Sequence, residues 1–406
     1  MGFLCRSCGH SSLATVLDLG LSPLANNLPT ASELGGTDER FPLETVFCER
    51  CALVQITVTV PPEILFRHYR YFSSVSETLV RHARNLVDRV LTLRPLDSKS
   101  LVLEIASNDG YLLHNYVEKC IPVLGVDPAE NIAEVARGRG VPTLAEFFGN
   151  TLARKLASEG KTADVVHANN VLAHVADTNG FVEGIRTILK PKGVAVIEVP
   201  YVRDLIEKCE FDTIYHEHLC YFSVSSLRSL FLRHGLALVG AERVPIHGGS
   251  VRVWIAHEQS AQTTSGVEEL LEQERSAGVD QFHFYQDFGQ RVQRLRTTVR
   301  SRVTQLHADG RRLWGYGAAA KATVLLNYFD IGSDLVECVA DLSPHKQGCL
   351  IPGVRIPIVS PDRLSEDPDY LLLLAWNFAD EIMRQQSAYR ARGGKFIIPV
   401  PELRIV

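Results

Sequence analysis

The sequence predicts an α/β protein built on two doubly wound sheets behind a small cysteine-rich module. Three observations carry that expectation. From residue 100 onward short apolar runs alternate with helical segments, the pattern of a parallel sheet with crossover helices. A second alternation of the same kind starts at Arg311. The first sixty residues differ from both: they hold four of the nine cysteines and the turn residues Pro23, Asn26, Asn27, Pro29, Gly35 and Gly36. With 406 residues the chain exceeds what one core usually spans, and the expected division is 1–70, 71–260, a helical linker 261–307, and 308–406.

Hydrophobic residues make up 46% and charged residues 22%, ordinary for a globular protein. A net charge of −5 offers no electrostatic basis for binding nucleic acid or an anionic membrane. No apolar run approaches the roughly 20 residues that span a bilayer, and the N-terminus lacks a secretory pattern. The expected location is therefore the cytoplasm, where nine cysteines argue for metal or free thiols rather than a disulfide framework.

In the cysteine-rich module, Cys5-Arg6-Ser7-Cys8 is answered by Cys48-Glu49-Arg50-Cys51. Two such knuckles let four thiolates converge in a tetrahedron, the geometry Zn²⁺ accepts from soft ligands. Four thiolates leave no open position, so the expected zinc is structural. Cys120, Cys209, Cys220, Cys338 and Cys349 lack this spacing and read as core or incidental thiols. A connecting helix follows. Ser74 with Glu77 reads as a capping box, and Leu79, Val80, Ala83, Leu86, Val87, Val90 and Leu91 recur at helical spacing.

In the first α/β unit the expected strands are Leu101–Ala106, Val123–Val126, Thr143–Phe147, Val165–Ala168 and Val194–Val199. Helices are expected at Tyr111–Val117, Ala129–Arg137, Asn150–Ala157 and Gly180–Leu189. A short helix at Ser225–Arg233 and two strands, Leu236–Val239 and Val251–His257, would close the sheet with an antiparallel pair at its edge. The first strand runs into Ala106-Ser107-Asn108-Asp109-Gly110 and a helix. That turn is where a doubly wound sheet binds a nucleotide-like ligand: small residues allow close approach and the helix start offers free N–H groups. Asp127, ending the second strand, is placed to accept hydrogen bonds from ribose hydroxyls. A dinucleotide and S-adenosylmethionine both fit this geometry. The GxGxxG fingerprint is absent, however, and Glu104 would repel a pyrophosphate while suiting a cationic methionine portion. The charge balance favours S-adenosylmethionine, and with it a class I methyltransferase sheet. Asn169 and Asn170, after the fourth strand, reach the same crevice, and His174 follows them.

Beyond the fifth strand stands Tyr215-His216-Glu217-His218, with Tyr221 close behind. Such dense titratable chemistry can remove a proton from carbon beside a carbonyl and hold the oxyanion that results. Residues 262–307 carry no proline and read as one or two long helices. The second α/β unit has expected strands at Arg312–Gly315, Val336–Asp341, Arg355–Pro357 and Tyr370–Leu374. Its Gly315-Tyr316-Gly317 turn opens a helix whose Lys321 could meet a phosphate, and Asp341, Trp376 and Asn377 face the same expected crevice.

Together these residues resemble the sugar C-methyltransferase family of deoxysugar and natural-product biosynthesis. The marks are Cys5-x-x-Cys8, Pro23-Leu24-Ala25-Asn26, Cys48-x-x-Cys51, Ser107-Asn108-Asp109-Gly110, Tyr215-His216-Glu217-His218, His247-Gly248-Gly249-Ser250-x-Arg252 and Gly315-Tyr316-Gly317-Ala318-Ala319-Ala320-Lys321. The resemblance runs nearly end to end. It implies a zinc-binding N-terminal domain, a central S-adenosylmethionine domain and a C-terminal Rossmann-like domain. The implied partner is a nucleotide-linked sugar, a dTDP-4-keto-deoxyhexose methylated at C3. By the same resemblance His218 would be the general base, with Tyr215 and Glu217 beside it. Tyr69 would be the active-site tyrosine, with Tyr71 as the rival alignment, and His174 the other active-site histidine. His247, Arg252 and Lys321 would lie with the substrate. O- or N-methylation of another acceptor is the competing chemistry. The exact sugar, the nucleotide base and the choice between monomer and dimer stay open.

Overall fold

The computed structural model describes residues 3–33, 35–66, 72–246, 248–262 and 264–406. Tyr69, Tyr71 and His247 lie outside the described residues.

The N-terminal module is an antiparallel meander of β1 (Leu13–Pro23), β2 (Arg40–Cys48) and β3 (Val54–Ile56). Leu17, Leu19, Leu43, Phe47 and Leu53 form its buried face. Val16, Leu28, Val54 and Ile56 join them, and this face is continuous with the core of the rest of the chain; a module of some sixty positions is of the size that often adds a metal staple.

The central sheet contains β4 (Val102–Ile105), β5 (Val123–Val126), β6 (Thr143–Leu144), β7 (Ala163–Asn169) and β8 (Leu189–Pro200). Next comes β9 (Cys220–Tyr221), which leaves this sheet and pairs with β3 as the fourth strand of the N-terminal one. Then β10 (Leu236–Val244) and β11 (Ser250–His257) return to the central sheet. Its order is β10-β11-β8-β7-β4-β5-β6, with β4 to β8 parallel and β11 antiparallel to both neighbours. All four residues of β4 are buried, as expected of a strand covered on both faces. The strand order reverses between β4 and β7, so the ligand crevice opens at their carboxyl ends.

The C-terminal sheet comprises β12 (Leu313–Tyr316), β13 (Val339–Ala340), β14 (Ile358–Val359), β15 (Tyr370–Leu373), β16 (Lys395–Ile398) and β17 (Arg404–Ile405). Their order is β14-β13-β12-β15-β16-β17, and all are parallel except the last.

Two local expectations are corrected, and the packing of a third segment, left open by the sequence, is added. The strand expected at Arg355–Pro357 starts at Ile358, because Arg355 sits in the left-handed region (φ 56°) and turns the chain. Ser74 is no helix cap: it lies in a 3₁₀ turn with its hydroxyl on the Asp109 carboxylate, and Ser76 caps the helix Glu77–Leu93. The segment expected as a linker is packed along its length. The helix Ser265–Ala277 buries Val267, Leu270 and Leu271 against β10 and the helix Val224–Leu232. The helix Phe288–Ala308 buries Val292, Val299 and Val303 against β1 and the helix Ala320–Phe329.

Candidate active site and cofactor cradle

The turn after β4 is tightly wound. Ala106, Asn108 and Gly110 all have positive φ (55°, 48° and 79°), as does Asn170 on the facing loop after β7 (55°). Non-glycine residues accept that conformation at a cost, which concentrates at ligand sites. Gly125 on β5 makes room for the turn: a Cβ there would lie 2.5 Å from Ser107 Oγ. Asp127 fastens it from the side, accepting the Asn108 amide on one oxygen and the Ala129 amide on the other, each at 3.0 Å. Each oxygen keeps a lone pair for a further donor. Asn108 Oδ1 accepts the Ser73 amide at 2.9 Å, and Asp109 takes Arg139 at 2.9 Å, so both act as struts of the turn.

What remains is a set of buried acceptors without donors among the described residues: Glu104 Oε2, Asp109 Oδ1, Asn169 Oδ1 and Asn170 Oδ1, with Ser107 Oγ beside them. Burial pushes Glu104 well above the usual carboxylate range, and the charges of Asp127 and Asp109 add to it. A cradle of unmet acceptors with this much negative charge fits a cationic ligand rich in N–H and O–H donors. S-adenosylmethionine, with its ammonium, sulfonium, ribose hydroxyls and adenine amine, is such a ligand.

Tyr215, Glu217 and His218 come from the loop between the helix Val202–Glu207 and β9, where a turn closed by the His218 amide on the Tyr215 carbonyl at 2.9 Å brings the two rings together. His218 Nδ1–H donates to the Thr213 carbonyl at 2.9 Å, which fixes the tautomer and leaves Nε2 as the basic nitrogen. The Tyr215 hydroxyl donates to that Nε2 at 2.9 Å. His174 lies edge-on to His218 with ring centroids 4.8 Å apart, and Tyr221 completes the cluster at 6.3 Å. Lost hydration pushes His174 down to about 4, so it is neutral at pH 7. The buried Tyr221 hydroxyl has no partner among the described residues. Glu217 is buried; desolvation pushes it up to about 7, and Asn26 Nδ2–H on Oε1 at 2.7 Å holds it back. His216 turns the other way, bonding the Pro42 carbonyl and meeting Phe41 edge-on, which pins the loop to the N-terminal module. Asn26 carries no site role in the sequence reading, whereas Tyr221 stands there as part of the titratable cluster without a part of its own. The Pro23–Asn26 motif marks Asn26, but only the fold brings it 2.7 Å from a residue 191 positions away.

Two expected substrate contacts are taken up by the protein itself. Arg252 bonds Glu198 on the paired strand (Nε–Oε2 3.0 Å), Glu242 (3.1 Å) and His82 (3.0 Å). Although burial opposes ionisation, the bonds and charges of His82 and Arg252 hold Glu198 below its usual range. Replacing Arg252 by leucine should therefore cost about 3–5 kcal/mol of stability, because Glu198 is left buried without its counter-ion. Thermal unfolding would check this, and an unchanged transition with a raised KM would restore a substrate role. Lys321 bonds Asn377 (2.9 Å), lies 4.3 Å over the Trp376 ring and faces the charges of Asp212 and Glu210. Trp376 Nε1–H in turn donates to Asp212 at 2.7 Å. Lys321 thus lies half-buried in a seam joining the central and C-terminal sheets, bonded to Asn377 and within the field of two carboxylates. Gly248 belongs to the same seam: at φ 97° its Cβ position lies 2.5 Å from Glu210 Oε2, a place only glycine fills.

The four thiols of Cys5, Cys8, Cys48 and Cys51 converge, with all sulfurs within 4.8 Å of one another. Cys5–Cys51 and Cys8–Cys48 are 3.5 and 3.6 Å apart. Sulfurs placed about 2.3 Å from a central ion sit about 3.8 Å apart in a tetrahedron, so the set fits a metal. The remaining cysteines are buried except Cys120. Among the described residues no helix is long and apolar enough to cross a membrane.

Comparison with known proteins matches three consecutive stretches of the chain. Residues 5–66 match the family described as "Putative zinc binding domain", residues 76–241 a methyltransferase domain, and residues 245–401 a C-methyltransferase C-terminal domain. C-methyltransferase NovU of Streptomyces niveus is 38% identical over 404 residues, covering 99% of this chain and 96% of that protein. A ubiquinone biosynthesis O-methyltransferase of Bartonella tribocorum is 31% identical over 108 residues, 26% of this chain and 43% of its own length. Among solved structures, PH0226 of Pyrococcus horikoshii aligns at 18% identity and TM-score 0.37 over 46% of this chain and 94% of its own. Magnesium protoporphyrin IX methyltransferase from Synechocystis aligns at 12% and 0.34, over 43% and 78%. On full-length identity to a C-methyltransferase and three consecutive family matches, the chain belongs to the C-methyltransferase family and is an S-adenosylmethionine-dependent C-methyltransferase.

Proposed function

We propose that the chain methylates C3 of a nucleotide-linked 4-keto-deoxyhexose, a dTDP sugar, with His218 as general base and a structural zinc at the four cysteines. The observation that carries this reading is the fixed tautomer of His218 inside a cage of Tyr215, His174 and Tyr221. Transfer to nitrogen or to an acidic phenol has less need of a base held so deliberately. A C–H beside a ketone needs both a base and a donor for the oxygen that becomes anionic.

In this reading the C3 proton is collected at His218 Nε2, with the Tyr215 hydroxyl, already bonded there, as the group through which it passes. The electron pair moves into the C3–C4 bond and charge develops on O4. Neutral His174 and the unpartnered Tyr221 hydroxyl supply N–H and O–H donors to that oxygen. Bound S-adenosylmethionine supplies the electrophilic methyl that the C3 carbanion attacks. Asp127 would take the ribose, Glu104 the cationic methionine portion, and Asn169 and Asn170 its remaining donors.

Incubating the protein with S-adenosylmethionine and a dTDP-4-keto-2,6-dideoxyhexose should yield a product one methyl heavier by mass spectrometry. In deuterated water the substrate should exchange its C3 hydrogen. Methylation without exchange at C3 would move the reading to an O- or N-acceptor.

A further inference from the structure

Asn26 belongs to the N-terminal module, far in sequence from the catalytic loop, yet its amide donates to Glu217 Oε1 at 2.7 Å. The stretch that carries it is tied down on its other side. The Ala25 carbonyl accepts Thr323 Oγ1 of the C-terminal unit at 3.0 Å, the Pro29 carbonyl accepts the Leu350 amide at 2.7 Å, and Thr30 bridges Cys349. Residues 25–30 are thus a strap held to the C-terminal unit with one side chain reaching the catalytic loop.

Glu217 is 3% exposed, and its second oxygen, Oε2, is buried with no partner among the described residues. A buried acceptor of this kind calls for a donor that arrives with a ligand. The neighbouring titratable groups point elsewhere. His216 is spent on Pro42, and His174 lies against the backbone rather than the carboxyl of Glu217.

We propose that Asn26 is a positioning residue for the transfer reaction: it clamps Oε1 of Glu217 so that Oε2 is presented to a hydroxyl or amino group of the acceptor. The proposal rests on the reading above that Glu217 works in the acceptor site. It also gives the three units a chemical reason to be assembled, since the strap holds its position only with the C-terminal unit docked.

The test is ¹³C NMR of protein labelled at the glutamate side-chain carboxyl, with the Glu217 resonance assigned by its loss in Glu217→Gln. Removing the Asn26 donor takes away what holds the carboxyl down, so in Asn26→Ala its midpoint should rise by about one unit. In the isosteric Asn26→Asp, which keeps the packing and adds a second acid, the rise should be larger. Turnover with the dTDP-4-keto sugar should fall about 10- to 100-fold at neutral pH in both and recover in part as pH rises. S-adenosylmethionine affinity and zinc content should stay within about twofold of wild type, which a merely structural lesion would not leave untouched. A Glu217 titration unmoved in both variants, with Glu217→Gln inactive, overturns the part given to Asn26 alone. Turnover by Glu217→Gln at the wild-type rate overturns the role of Glu217 on which the proposal stands.

Discussion

His218→Ala should lose methyl transfer by about three to four orders of magnitude and lose C3 deuterium exchange with it, while S-adenosylmethionine binds as before. The expectation follows from where His218 sits. Its two nitrogens are used by Thr213 and Tyr215, on the loop before β9. The buried acceptors assigned to the cofactor belong to β4, its turn and the loop after β7. A base removed from the first set leaves the second intact. Tyr215→Phe is the companion measurement. It keeps the ring but deletes the hydroxyl on Nε2, so exchange should slow while the histidine remains. If His218→Ala still exchanged the C3 hydrogen at the wild-type rate, the base would be another group, and Tyr215 would be the next to test. Exchange is the better readout because it reports proton removal even when transfer is blocked for other reasons.

How much of this was legible in the sequence differs by kind of information. The paired knuckles at Cys5–Cys8 and Cys48–Cys51 and the β4 turn could be read directly, since their meaning lies in spacing along the chain. Strands buried on both faces announced themselves as apolar runs, and their limits came out within a few residues for β5, β7 and β11. The last two strands, Lys395–Ile398 and Arg404–Ile405, were missed because they are short and lie at or beside a sheet edge. Nor could the sequence say which charged residues are already paired. Arg252 and Lys321 looked available for a ligand as single letters. Arg252 is paired with Glu198 on the neighbouring strand, and Lys321 is bonded to Asn377 with the charge of Asp212 near it, because the fold brings distant residues beside them. The same long-range assembly hid Asn26, whose place depends on the N-terminal module folding against the loop before β9.

That dependence makes the zinc proposed for the four cysteines the second large lever. Cys51 lies three residues before β3, whose Val54 pairs with Tyr221 and whose Gln55 pairs with Cys220. The Ile56 amide bonds the Leu219 carbonyl at 3.0 Å, and the Leu219 amide bonds the Ala173 carbonyl at 2.7 Å. His218 and His174 are the chain neighbours of those two residues, so the two histidines proposed for the reaction hang from a ladder that begins at the second knuckle. The first knuckle braces the same ladder. Arg6 reaches the Ile56 and Val58 carbonyls at 3.2 and 3.1 Å, and its own carbonyl accepts Thr178 and Asn179 of the central unit. Structural zinc sites contribute on the order of 10 kcal/mol to the small modules that carry them, a large share of what holds a module of this size. Chelation, or Cys48→Ser with Cys51→Ser, should therefore remove one zinc per chain and lower the first unfolding transition. Methyl transfer should fall at least 100-fold. Cofactor binding should fall much less, because β4 and its turn are held by the central sheet. Returning Zn²⁺ to the chelated protein should restore turnover, separating loss of the ladder from irreversible unfolding. A zinc-free protein that turned over at the wild-type rate would show that the catalytic loop holds its shape without the module that adds its fourth strand.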